Sequence, residues 1–383
     1  MEYELMHGHI SVAVVTIDDD GYLIGISSVS EPDHLPVGTL AGGEASVVRL
    51  RRWWSGRSIP ASREGVRHLL DSLDIPCTGS LSLDSMGSSL SDQYWIRPRG
   101  SHMQWEDVNF FGNAFSPYIG DLLFGRAATA GTDRRSPDNT TDGVQRKRWV
   151  VRDGVRCLIK SGSEPCMQEP FNEVIATILM DSNGIPNAGY SLIWNGDIPC
   201  SVCPDFISPD TELVSAGQIL ADLCTTAGKS HPEMFRGRCT ELGLDVDDFV
   251  DSMTVMDDIM LNTDRHLGNF GLIRNAETLE WIGPAPIYDT GNSLMCRKGV
   301  PSILRMVDEP VGRHLVPGPI DGKHLRWFDP DAMLDRLDDV SALLAQADGR
   351  IDEMDAERRD ALVSLLERNI RSAAADHPRF SQP

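Results

Sequence analysis

Asp264 and Asn269 stand five residues apart in the run Asn262-Thr263-Asp264-Arg265-His266-Leu267-Gly268-Asn269, and a second carboxylate follows in Ile287-Tyr288-Asp289-Thr290-Gly291. These residue types have a definable chemistry in common. One carboxylate can orient an attacking hydroxyl and accept its proton. An amide oxygen and a second carboxylate can hold magnesium, a hard cation that takes oxygen ligands and bridges phosphates. Phosphoryl transfer is a chemistry that would use all three, with Asp264 as the expected proton acceptor and Asn269 and Asp289 as the expected metal ligands.

The elements that must position these groups are legible on both sides. Phe249, Met253, Met256, Ile259 and Met260 recur at helical spacing, and Asn262 and Gly268 break the pattern. Asp264 and Asn269 are therefore expected on a loop leaving a buried helix. Phe270, Leu272 and Ile273, then Trp281 and Ile282 beyond a polar turn, read as a short hairpin that returns Asp289 towards Asp264. Upstream, Asp153-Gly154 is a two-residue hairpin signal, and the returning strand ends at Lys160, whose ammonium can reach phosphates. Phe171, Val174, Ile175, Ile178 and Leu179 mark one face of the next helix, with Glu173 in its first turn and Glu169 competing from just before Pro170. Gly143 lies in a turn before a strand, where backbone N–H groups can meet phosphates. Cys203-Pro204-Asp205-Phe206 is the expected hinge that reads adenine, with Phe206 either lining that pocket or packing.

The Asp-to-Asn offset with a later Asp-x-Gly is also that of protein kinases. The order Asp-Arg-His rather than His-Arg-Asp, followed by Asp289-Thr290-Gly291, resembles the HipA-like kinases and, more distantly, the phosphatidylinositol-kinase-like group. The words from Trp53-Trp54 to Asn109-Phe110-Phe111 are similar to the leader of a bacterial subgroup of HipA-like proteins. The resemblance implies a serine/threonine protein kinase that uses ATP and Mg2+ on a protein substrate. It implies that Glu173 aims Lys160 at the phosphates, that Gly143 belongs to a short phosphate loop, and that Asp264 is catalytic. The implied fold is α+β, a two-lobed protein-kinase-like fold with an additional N-terminal α/β module. Its divisions are the module at 1–125, a β-rich nucleotide lobe at 126–205 and a helical lobe at 206–383. A toxin–antitoxin pairing with a DNA-binding antitoxin is implied as well. The phosphate loop departs from ordinary protein kinases, having one glycine where they have GxGxxG.

Composition bounds the rest. Acidic residues outnumber basic ones 57 to 35, a formal charge of -22, so direct nucleic-acid binding is not expected. The eight cysteines contain one CxxC, Cys200 and Cys203, without the second pair that a zinc site needs. A reduced, cytoplasmic protein is expected. No signal-peptide pattern and no apolar run of membrane-spanning length occurs.

The stretch Gly125 to Asn139 reads as a linker, and helices are expected at Thr211–Cys224, Pro232–Leu242, Pro330–Ala345 and Asp352–Ala374. The polar stretch carrying Gly299, Pro310, Gly312 and Pro317 suits an activation or substrate-binding segment. Three rivals remain. An aspartic protease needs two Asp-Thr-Gly carboxylates and the chain has one. A catalytically silent kinase fold is opposed by the presence of Lys160, Glu173, Asp264, Asn269 and Asp289 together. A lipid kinase lacks the expected basic membrane patch.

Overall fold

The computed structural model describes residues 1–126, 133–223, 230–309 and 327–375. Its content is mixed, with several antiparallel sheets among helices. The chain divides into two compact units. One contains Met1–Ile159, Asp205–Cys224 and Gly271–Gly283; the other contains Lys160–Pro204, Thr225–Phe270 and Pro284–Pro383.

In the first unit, Glu2–His7, Ile10–Ile17 and Leu23–Val29 form an antiparallel meander, and Tyr94–Pro98 pairs along Glu2–His7. Period-two alternation sends Ala13, Val15 and Ile17 into the core. The helix Val47–Ser55, capped by Ser46, buries Leu50 and Trp54, and the Trp54 indole donates to Gly21 O at 2.8 Å. Trp95, Trp105, Phe110, Phe111 and Trp149 gather around Met6 and Ile207, so these aromatics pack a core.

Two expectations change here. Residues 127–132 lie outside the described residues, but the end of the proposed linker is buried structure. Ser136 caps the turn Pro137–Thr140, and the buried Asp138 accepts from Trp149 N at 2.7 Å. Burial pushes the Asp138 carboxyl up to about 6. The second change is at Thr211–Ser215, which is a strand antiparallel to Gly271–Asn275; a helix follows only over Ala216–Ile219. The strand puts Glu212 in the core against Arg274, with His7 Nε2 at 3.0 Å from its other oxygen. Local helix propensity cannot offset those partners.

The hairpin between Lys147–Arg152 and Val155–Ser161 turns as the sequence indicates. Asp153 and Gly154 have φ of 50° and 81°, the left-handed pair of a type I′ turn.

In the second unit, the helix Glu169–Ser182 packs on the hairpin Ser191–Asn195/Ile198–Pro204 and is buried along most of its length. His231–Glu241 begins with a Ser230/Glu233 capping box and precedes the helix Asp247–Met260. The C-terminal helix Ala356–Ala375 packs on Asp247–Met260, Val300–Val307 and Leu337–Ala345. Pro310, Gly312 and Pro317 lie outside the described residues. Among the described residues no helix is long and apolar enough to cross a membrane.

Candidate active site

The loop from Asn262 to Asn269 leaves the end of Asp247–Met260, where Leu261 adopts a left-handed conformation at φ 51°. Asn262 ties the turn together: its Nδ2 donates to Asp257 Oδ1 at 2.8 Å and its Oδ1 accepts from Asp264 N at 3.0 Å. Arg265 points inward and forks onto Asp257, with Nε to Oδ2 and Nη2 to Oδ1 both at 2.9 Å. Its Nη1 donates to Asn269 O at 2.7 Å and to Tyr288 O at 2.6 Å. One guanidinium thus joins the loop to the residue before Asp289. Burial would lower the pKa of Arg265, but Asp257 outweighs it and holds the cation above its ordinary value. The Tyr288 hydroxyl adds a tie by donating to Gly268 O at 2.9 Å.

With Arg265 committed to Asp257, Asp264 faces outward. Its residue is exposed, and its carboxylate takes no side-chain partner among the described residues. Its main-chain oxygen accepts from His266 N at 2.8 Å and from Asn269 Nδ2 at 2.9 Å. That bond fixes the Asn269 amide with its Nδ2 on the Asp264 carbonyl.

Lys160, Glu173 and Asp289 meet in the same unit. The Lys160 ammonium donates to Asp289 Oδ1 at 2.7 Å, Glu173 Oε1 at 3.0 Å and Tyr190 Oη at 3.3 Å. Burial would push this lysine down, but Asp289 and Glu173 outweigh that and raise it well above its ordinary value. Glu173 is shared, because its Oε2 accepts from both the N–H and the hydroxyl of Thr290 at 3.1 Å. The helix begins at Glu169, so Glu169 and not Glu173 is the first-turn acid, because the chain turns helical one residue before Pro170. Glu169 accepts from Ser163 N at 3.0 Å, and Glu173, one turn on, reaches Lys160. Asp289 has φ 59°, a left-handed conformation, and its N–H donates to Tyr190 Oη at 3.3 Å.

Gly143 and Phe206 belong to the other unit. Gly143 has φ 90°, and its carbonyl accepts from Arg63 Nε at 2.8 Å. Its N–H donates to Asp142 Oδ1 at 2.6 Å. Phe206 is half-buried and packs against the Trp95–Trp105–Phe110 cluster.

The side chains of Asn269 and Asp289 are oxygen donors, the type that magnesium takes. No group of three or more His, Cys, Asp or Glu side chains suited to a metal occurs among the described residues. Asn269 and Asp289 offer two oxygen ligands, and magnesium characteristically completes its shell with water and phosphate oxygens. Cys200 and Cys203 are buried thiols.

Sequence reasoning missed Tyr190, Asp257 and the second role of Glu173. Asp257 carried no separate signal, since the helix Asp247–Met260 also holds Asp247, Asp248, Asp251 and Asp258.

No protein-family model and no curated protein matches the sequence. Solved structures do match. The HipA chain of the Shewanella oneidensis MR-1 toxin–antitoxin system, solved with HipB and operator DNA, superposes with a TM-score of 0.53 at 12% identity, covering 97% of this chain and 96% of its own. The Helicobacter pylori proinflammatory kinase CtkA superposes more loosely, with a TM-score of 0.44 at 17% identity over 62% of this chain and 95% of its own. The chain has a HipA-like kinase fold.

Proposed function

We propose that this chain is an ATP- and Mg2+-dependent phosphotransferase that acts on serine or threonine of a protein substrate. The observation that carries the reading is the buried Lys160, bonded to Glu173 at 3.0 Å and Asp289 at 2.7 Å, in the same packed unit as the exposed carboxylate of Asp264. Asp264 accepts the proton of the acceptor hydroxyl. Lys160 offers its ammonium to phosphate oxygens, and Glu173 keeps it aimed when Asp289 turns to the metal. Asn269 and Asp289 are the metal ligands. Bound magnesium supplies charge neutralisation on the phosphates. Gly143 is assigned to the phosphate loop and Phe206 to the adenine side, on the family resemblance.

The functional division into a module at 1–125, a nucleotide lobe at 126–205 and a helical lobe at 206–383 cuts across the packing, because 205–224 and 271–283 pack with the first 159 residues. A cytoplasmic location and a DNA-binding antitoxin of the HipB type belong to the same reading; the neighbouring HipA was solved with HipB and operator DNA.

Transfer of labelled γ-phosphate from ATP into a bacterial lysate tests the proposal. Asp264→Asn is expected to lower transfer by about 10²–10⁴-fold. Its melting temperature should stay within about 1–2 °C of wild type, because an exposed group away from structural features contributes little. Retained transfer would remove Asp264 from the mechanism. ATP binding by the wild type without transfer to any acceptor would favour a silent kinase fold.

A further inference from the structure

Three polar side chains that the proposed chemistry does not use are buried behind the Asp-Thr-Gly segment. Gln168 and Asn172 on the helix Glu169–Ser182 and at its N-cap are fully buried, and Arg358 on the C-terminal helix is 2% exposed. Their hydrogen bonds run in one direction. Arg358 Nε and Nη2 donate to Gln168 Oε1 at 3.0 and 2.7 Å. Gln168 Nε2 donates to Asn172 Oδ1 and to Leu294 O, both at 3.1 Å. Asn172 Nδ2 donates to Gly291 O and Ser293 O, both at 2.8 Å. Two further guanidinium N–H groups donate to Lys298 O at 2.8 Å and Cys296 O at 3.2 Å.

The direction has a physical origin at Arg358. A guanidinium has only donors, so it forces the oxygen of the Gln168 amide towards itself and the nitrogen away. That nitrogen in turn forces Asn172 to present its oxygen to Gln168 and its nitrogen to the carbonyls of Gly291 and Ser293. Flipping either amide would set donor against donor in a site closed to water. The relay ends on Gly291, two residues after Asp289, while Thr290 between them is bonded to Glu173.

We propose that Arg358 is a positioning residue for Asp289, acting through the polarity it imposes on Gln168 and Asn172. The inference rests on the assignment of Asp289 as a metal ligand. It predicts that the C-terminal helix sets the metal requirement of a site it does not touch.

The test titrates Mg2+ in the presence of ATP, reading the rise in melting temperature, and follows amide hydrogen exchange over residues 291–298. Arg358→Met removes the source of polarity, and Asn172→Asp replaces the two donors with an acceptor of the same size. Both should raise the Mg2+ midpoint by about tenfold, the usual size for groups that orient a metal ligand, and both should speed exchange over 291–298 while leaving the helix Asp247–Met260 protected. Should Arg358→Met not fold, Arg358→Lys decides: it keeps the charge but cannot fork across Gln168 and two carbonyls, and a wild-type midpoint for it overturns the inference. Asp289→Asn separates the two levels. If it shifts the midpoint and the relay variants do not, the inference falls alone; if it shifts nothing, the metal assignment falls and the inference with it.

Discussion

In the first unit Glu212 is engaged on both oxygens, by Arg274 and by His7, and Tyr94 lies over His7 with ring centroids 4.2 Å apart. In the second, Glu173 is also engaged on both oxygens, by Lys160 and by Thr290, and Tyr190 stands beside the cation. Each cluster joins a glutamate, a cation and a tyrosine in the core. They differ in the cation and in what adjoins it. Arg274 is a rigid fork whose donors are committed to Glu212 and Tyr94, whereas Lys160 is a point charge on a flexible stem that can exchange partners. Lys160 also meets a second carboxylate, Asp289, whose side chain is 33% exposed and whose backbone is left-handed. A buried ion pair is thus weak evidence for a site. A buried pair with a partly exposed extra carboxylate on a strained backbone is stronger evidence.

The largest expected effect breaks the closed cluster. Glu212→Gln leaves Arg274 without a counter-charge in the core and should cost about 3–5 kcal/mol. That corresponds to a fall of roughly 6–12 °C in melting temperature, with the magnesium-dependent shift retained. A melting curve like that of wild type would remove the structural role assigned to the cluster.

Asp289→Asn is the counterpart in the open cluster. Binding of Mg2+ with ATP should weaken by about a hundredfold, while metal-free melting stays near wild type because Lys160 keeps Glu173. Calorimetry with and without Mg2+ measures both. Collapse of the metal-free fold would make the two clusters equivalent and end the contrast.

Asp205 in the first unit lacks any cation at bonding distance among the described residues: its Oδ1 accepts from Ile207 N at 3.0 Å, and its buried Oδ2 has no hydrogen-bond partner among them. Burial pushes its carboxyl up to about 7. The folded state therefore binds the proton more tightly than the unfolded state, whose carboxyl titrates near 4. Stability from this group is present at low pH and is lost as pH rises from about 4 to about 7. Asp205→Asn should remove that part of the slope and raise stability at pH 8 by on the order of 2 kcal/mol. Denaturant melts at pH 6 and pH 8 provide the comparison, and an unaltered difference between them would count against the burial assignment.

The smallest effect sharpens the contrast. Tyr190→Phe keeps the ring and removes the acceptor of the Asp289 N–H, a loss of about 1 kcal/mol. It should move the Mg2+ midpoint a few-fold, since the bond it deletes holds the backbone of a proposed ligand. The matching change at Tyr94 should alter stability only, so equal midpoints in the two variants would deny Tyr190 its part.

The placements readable in the sequence are those written locally. Asp264 and Asn269 follow a buried helix that ends at a left-handed residue, Asp153-Gly154 forms its turn from two residues, and Glu173 lies early in its helix. The unreadable ones depend on partners far away in sequence. Gln168 is fixed by a residue 190 positions on, and Glu212 meets His7 from 205 positions away. Thr211–Ser215 was misjudged for the same reason, since a short segment followed by Ala, Gln and Leu favours helix until a distant strand offers its ladder. Phe206 reads equally as packing or recognition, because an aromatic at a hinge looks the same in either role.

The order in which the first unit collects its parts has a consequence for synthesis. His7 waits for Glu212, the carbonyls of Ser208 and Thr211 complete Gln93, and Arg274 comes later still. At roughly 5–20 residues per second, a ribosome needs about 10–40 s between making His7 and making Glu212. During that interval the nascent chain carries an imidazole and an aromatic cluster destined for the core with their later partners still untranslated. A polypeptide stopped at Ile159 would stay in that condition, with His7 and Gln93 lacking the partners that Glu212, Ser208 and Thr211 supply.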